Sequence, residues 1–347
     1  KLVVLRSISI MKQKNTKHID LKNIKDPKFL SDLSIHELNT LADDIRRYII
    51  QTTSVTGGHL SANLGVVEST IALCKVFDFS KDKIIFDVGH QCYTYKLLTG
   101  RDLTKLRSKD GISGFQKLNE SAYDHYEAGH SSTSISAGLG MALARDLNKE
   151  KYEVVSFIGD SSIVSGLALE GLNNAGGTKH KVIVVLNDND MSISQSVGGL
   201  SKVFRKFQTS SFYRKSAKFY TRIMTHNAIT RPIFNVSLKF KNFIKRKLIK
   251  MTIFDLAGFA VLGPVDGHNI KELIRTFQRA KENEKSTIVV MKTIKGKGYK
   301  FAEEDKVGKW HGVGKFNVET GEIYSSHNVS WSKYMANLVD ERLSLDK

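Results

Sequence analysis

The sequence predicts an α/β fold, a doubly wound and mostly parallel sheet. Three observations predict it. Strand-like and helix-like segments alternate along most of the chain, the pattern of sheets covered by helices on both faces. Two apolar runs, Phe157-Ile158-Gly159-Asp160 and Val184-Val185-Leu186-Asn187-Asp188-Asn189, each stop at polar, metal-capable side chains. Residues 166–176 between them read as a short helix, which makes the whole a βαβ unit with both strand ends at one edge.

The remaining elements follow in chain order. Residues 1–20 read as an extended or disordered N-terminus, and the first domain as 21–325. Ser34-Ile35-His36-Glu37 is a capping-box pattern and opens a helix. Leu38, Leu41, Ile45, Tyr48 and Ile49 give that helix one apolar face. Gly57-Gly58-His59 breaks it. Residues 84–88 read as a buried strand ending at Gly89-His90. A small-residue helix over 134–148 follows Gly129-His130-Ser131-Ser132. Strands over 153–159 and 182–187 come next. From 200 to 252 the lysines and arginines crowd and the βα pattern disappears, which reads as a basic, mobile insert. Alternation returns with 259–262, a helix over 269–282 and a strand over 287–292. Residues 326–347 read as a C-terminal extension.

The chain has 347 residues, 41% hydrophobic and 25% charged, enough for a sizeable core. Its net charge of +18 admits a polyanionic partner or simply a lysine-rich composition. Cys74 and Cys92 are the only cysteines. Their spacing fits neither a metal site nor a disulfide framework and points to a reducing compartment. No apolar run approaches the ~18 residues of a membrane span, so a cytoplasmic location is expected.

Asp160, the Asn189 amide oxygen and a backbone carbonyl at Met191 offer three oxygens to Mg²⁺, which takes about six and prefers phosphate for the rest. Five histidines sit beside glycine: His59, His90, His130, His268 and His311. Glycine lets the backbone approach a ligand, and imidazole donates or carries protons near neutrality. Without paired His/Glu helical spacings, they read as phosphate donors and proton shuttles rather than zinc ligands. The segment 129–134 supplies backbone N–H groups and hydroxyls ahead of a helix. Lys295-Gly296-Lys297-Gly298-Tyr299 is a flexible basic loop, without the spacing of a P-loop.

Together with Asp160 and Asn189, several longer strings occur in order: Thr56-Gly57-Gly58-His59-Leu60, Asn63-Leu64-Gly65-Val66-Val67-Glu68, Asp87-Val88-Gly89-His90-Gln91, Gly129-His130-Ser131-Ser132-Thr133-Ser134, Met191-Ser192-Ile193-Ser194 and Gly263-Pro264-Val265-Asp266-Gly267-His268. From about Leu21 to Phe316 the chain resembles the 1-deoxy-D-xylulose-5-phosphate synthases, which are transketolase-like thiamine diphosphate enzymes. The resemblance implies a decarboxylating condensation of pyruvate with glyceraldehyde 3-phosphate, feeding isoprenoid, thiamine and pyridoxal synthesis. It implies thiamine diphosphate and Mg²⁺ as cofactors, with Asp160, Asn189 and Met191 on the metal. His90, Gly129, His130, Ser131, Ser161, Ser162, Asn189 and Tyr299 match cofactor-contacting positions. His59 and His311 match proton-transferring histidines, and Lys295 a lysine near the same pocket.

Two departures carry consequences. Ser161 stands where the family motif has a second glycine, and a positive φ there would be strained. The family also continues into a pyrimidine-binding domain that holds the activating glutamate, and a C-terminal domain follows it. The expectation is therefore an N-terminal subunit or fragment, working as a homodimer or as a heteromer with a separately encoded half, and inactive without that pyrimidine domain. No nucleic-acid or membrane partner is expected, since the basic insert matches the family's long segment. The alternatives are the N-terminal subunit of a split transketolase and a non-catalytic cofactor-binding remnant.

Overall fold

The structure, a computed structural model, describes residues 19–189, 253–324 and 330–345. The basic stretch 200–252, Met191 and most of the N-terminal twenty residues lie outside the described residues.

Helix α1 (Ile35–Thr56) starts where its capping box dictates: the Ser34 side chain accepts the Glu37 N–H, and Glu37 returns a bond to the Ser34 N–H. Two of the four orphan donors of the first turn are thereby satisfied. Helices α2 (Leu60–Leu64) and α3 (Val67–Val76) follow after the glycine break. Strand β1 (Lys83–Phe86) leads to α4 (Tyr93–Leu98), and α5 (Ser134–Leu147) precedes β2 (Val154–Gly159). Helices α6 (Asp160–Ile163) and α7 (Gly166–Gly177) connect β2 to β3 (Ile183–Asp188). Beyond the undescribed stretch come α8 (Ile253–Leu256), β4 (Ala260–Asp266), α9 (Ile270–Glu282), β5 (Thr287–Lys292), α10 (Lys300–Glu303) and α11 (Trp331–Leu345).

The five strands form one all-parallel sheet in the order β1-β2-β3-β5-β4. Alternate residues feed two cores. Val155, Phe157, Ile183, Val185, Val289 and Met291 face a layer that contains α1, α3 and α9. Val154, Ile158, Val184, Leu186 and Ile288 face α5 and α7. Strands buried on both faces explain why these runs read as continuous apolar sequence rather than alternation. Gly138 of α5 lies so close to β2 that a Cβ would come within 2.4 Å of the Ser156 hydroxyl.

Two boundaries differ from the sequence reading. The first strand ends at Phe86, because Val88 has φ 64 and Gly89 φ 94, which turn the chain out of the sheet. A β-branched residue rarely occupies that region. The fourth strand runs on to Asp266, past the expected 262, and shifts register between Leu262 and Val265. Within the C-terminal extension, α11 exposes Trp331 (74%), Tyr334, Met335, Leu338 and Val339.

No helix among the described residues is long and apolar enough to cross a membrane.

Candidate active site

The chain brings three histidines from distant segments into one triangle. The His59 and His90 ring centroids are 5.0 Å apart, His59 and His311 5.6 Å, and His90 and His311 5.5 Å. A pair of backbone bonds does part of this. Gly58 and Val313 exchange N–H···O bonds of 2.9 Å in each direction, which sets His59 beside His311. Gly57 must be glycine here: its φ is +71, and a Cβ would lie 2.9 Å from the Val313 oxygen. Asp305 shapes the turn before His311 by accepting the N–H groups of Trp310 (2.7 Å), Gly308 (2.9 Å) and Val307 (3.1 Å).

The other link is Asn63, which is fully buried. Its amide donates to the carbonyls of His59 (2.7 Å) and His90 (2.8 Å), and its oxygen accepts the Tyr93 N–H (2.9 Å). Tyr93 in turn accepts the His59 N–H at its hydroxyl, 3.0 Å away.

Burial, then the neighbouring cations, keeps the three rings neutral. His59 is pushed down to about 4 by desolvation, with His311 and Arg107 adding to it. His90 is pushed down to about 3 by desolvation, then by His59, His311 and Lys295. His311 is also lowered by burial and by Lys295. Lys295 is itself lowered by burial, against the pull of Asp305 and Asp160. The buried Nδ1 atoms of His59, His90 and His311 find no hydrogen-bond partner among the described residues. Neutral imidazoles with unmet polar atoms are suited to a polar ligand and to moving a proton.

At the strand ends, Gly159 stands opposite Asn187, so Asp160 and Asn189 lie one and two residues past a shared rung. Asn187 and Asp188 are turned inward: Asn187 accepts the Thr293 hydroxyl at 2.6 Å, and Asp188 pairs with Lys292 at 3.0 Å. Asn189, half-buried, stays at the edge. Asp87, at the end of β1, accepts the N–H groups of Ser132 (2.8 Å) and Ser134 (3.2 Å). Ser132 has φ 78 and donates its hydroxyl to the Ser162 carbonyl at 3.0 Å. The loop 129–133 is thus tied to the ends of both β1 and β2, and it leaves Gly129, His130 and Ser131 exposed.

Among the described residues, no three His, Cys, Asp or Glu side chains gather as a metal site of their own. One carboxylate and one carboxamide at a sheet edge suit Mg²⁺ that takes its other oxygens from phosphate and water.

One sequence expectation changes. Ser161 is part of α6 and is absent from the residues with positive φ, so the backbone strain expected of a serine in the glycine position does not arise. Tyr299 lies in an aromatic cluster with Phe301, Trp310 and Phe316. Its hydroxyl donates to the Val318 carbonyl at 3.1 Å, which gives it a packing part. Asn63, Asp87, Tyr93 and Asp305 were not singled out from sequence. Asn63 and Asp87 sit inside the motif strings, where a polar residue at a buried turn was the available signal.

Residues 21–293 match the family model of 1-deoxy-D-xylulose-5-phosphate synthase. The chain is similar to the 1-deoxy-D-xylulose-5-phosphate synthase of Macrococcus caseolyticus, 45% identical over 95% of this chain and 53% of that protein. The synthase of Clostridium beijerinckii is 46% identical over 90% of this chain and 51% of that one. The chain therefore spans about half the length of the curated relatives it matches. Among solved structures, transketolase from Campylobacter jejuni superposes with a TM-score of 0.56 at 18% identity, covering 81% of this chain and 41% of that one. Transketolase from Leishmania mexicana gives 0.56 at 16%, covering 89% and 45%; both show a shared fold. With the matched segment covering most of its length, the chain belongs to the 1-deoxy-D-xylulose-5-phosphate synthase family.

Proposed function

We propose that these residues form the diphosphate-holding half of a thiamine diphosphate site, serving the condensation of pyruvate with glyceraldehyde 3-phosphate and the loss of CO₂. The observation that carries the reading is the triangle of neutral histidines, with unmet Nδ1 atoms, joined through Lys295 to the charge of Asp160 at the strand ends. Asp160, Asn189 and the carbonyl of Met191 would hold Mg²⁺. Exposed backbone at Gly129, His130 and Ser131 and the first turn at Ser161 and Ser162 would meet the diphosphate, and His90 would contact the cofactor. When bound, the cofactor supplies the electron sink that the decarboxylation needs. The chain's own part is to orient substrate and to hold and move protons at His59 and His311, a contribution of about 10²–10⁴-fold in comparable sites. Lys295 would balance carboxylate or phosphate charge beside them. A homodimer, or a pairing with the other half of the family's length in a second chain, completes the site in this reading, and a cytoplasmic setting suits its substrates.

Titration calorimetry of thiamine diphosphate with Mg²⁺ tests it. The parent chain, alone or with a complementary half, should bind. Asp160→Ala should weaken binding by about tenfold or more, ~1.4 kcal/mol, because diphosphate charge loses its metal. Equal affinity in variant and parent would remove Asp160 from the metal site.

A further inference from the structure

The string Gly267-His268, set aside by the reading above, has a defined place. His268 is buried at its side chain, 8% exposed. Its Nδ1 lies 3.1 Å from a Glu68 carboxylate oxygen, and its Nε2 accepts the Ile294 N–H at 2.8 Å. An Nε2 that accepts fixes the proton on Nδ1, which then donates to Glu68. Glu68 is itself held by Arg46 at 2.6 Å from the other side. Two residues beyond Ile294, the Gly296 N–H donates to the Ser61 carbonyl at 2.8 Å. Ile294 and Lys295 are therefore the only two residues between these two anchored peptides. The loop closes back on the same cluster: Gly298, at φ +82, leaves only 2.3 Å between a would-be Cβ and the Arg46 Cδ.

We propose that His268, oriented by Glu68, is the positioning residue for Lys295: it clamps the Ile294 peptide so that the ammonium group is held beside the His90–His311 pair. This rests on the reading of Lys295 as part of the cofactor pocket. His268 touches no reacting group. It acts by deciding where the 294–298 loop sits, and Glu68 decides which face of the imidazole meets that loop. The geometry ties the end of β4 to a side chain delivered after β5, across the helix α3 that carries Glu68.

His311 is the reporter. Burial lowers its pKa first and the Lys295 cation next, the one charged group to do so among the described residues, and His59 and His90 are its ring neighbours. Nuclear magnetic resonance of the 347-residue chain, labelled at histidine Cε1 and free of cofactor, follows its titration. Lys295→Met should raise the His311 value by about half a pH unit or more, as a nearby cation is lost. His268→Phe should raise it by a similar amount, and the double variant no further. His268→Gln, whose side-chain oxygen can still accept the Ile294 N–H, should restore the parent value. A general packing role would lower thermal stability without moving His311. Amide exchange at 294–298 should quicken about tenfold in the Phe variant, as expected for a lost bond and local opening.

A His311 titration unchanged by His268→Phe overturns the proposal, as does a shift that His268→Gln fails to reverse. Should the Phe variant not fold, His268→Asn, too short to reach Ile294, gives the same comparison. The parent also decides without any variant: a ¹⁵N spectrum with the His268 proton on Nε2 overturns the clamp. Because no cofactor is added, a chain that fails to bind thiamine diphosphate would refute the proposed function and leave this result standing.

Discussion

At the scale of single residues, the site withholds water from its imidazoles, which keeps them neutral well below the pH at which a solvated ring takes a proton. His59 and His90 fall from an ordinary value of 6.5 to about 4 and about 3, in each case first because of burial. The folded chain therefore resists protons that the unfolded chain accepts. Stability is complete above pH ~6.5 and declines as pH drops through the window down to each folded value, by at most ~1.4 kcal/mol per pH unit for each ring. Urea unfolding at pH 7, 5.5 and 4.5 should show this decline, and His90→Gln should make it shallower. A variant as acid-sensitive as the parent would show that His90 is not a buried neutral base. The motif strings made His59, His90 and His311 legible in the sequence, because an imidazole next to a glycine break is an unusual pairing. Their assembly was not legible. It depends on Asn63 bridging two carbonyls and on the Gly58–Val313 pair, contacts that no local pattern encodes.

Among the elements, β2, β3 and β5 and helices α1, α5, α7 and α9 were readable to within a residue or two, since strands covered on both faces announce themselves as apolar runs. Helices α2, α3 and α4 were not read, β4 ran on four residues further, and the end of β1 is one the site bends to its own use. Val88 and Ser132 take left-handed backbone at the close of β1 and before α5, where strain is tolerated because surrounding contacts over-determine it. Asp87 is the contact that matters: its carboxylate receives two backbone N–H groups of the 129–134 segment. Asp87→Ala would leave both donors buried and unmet, at a cost of about 2–4 kcal/mol. Chemical denaturation should report that loss, together with faster chymotrypsin cleavage after Tyr126 if the loop is released. An unchanged midpoint would mean that water replaces the carboxylate without penalty. The Ser161 expectation failed for a related reason. A glycine-rich motif suggests a special φ, yet the chain simply starts α6 there, and helical backbone accepts any side chain with a Cβ.

For the whole molecule, the decisive fact is proportion: the chain spans about half of its curated relatives, and α11 ends it with an apolar stripe in solvent. The 347 residues tested alone should release little CO₂ from pyruvate, with or without glyceraldehyde 3-phosphate, since lost general acid–base help alone costs about 10²–10⁴-fold. Adding the remaining half of a related synthase should raise turnover. Full activity from the 347 residues by themselves would require an activating carboxylate within them. The strand order carries one more consequence, in time rather than in space. β5 joins the sheet beside β3, and Thr293 meets Asn187 across 106 positions of chain. Closing so long a loop is slow relative to the nearer β1, β2 and β3 pairings. Lys295 and His311 both follow β5 in the chain, so they reach the site last. A nascent molecule would hold His59 and His90 together well before it held the groups that add to burial in lowering their pKa values, and would thus become a finished binding site only in the final step of folding.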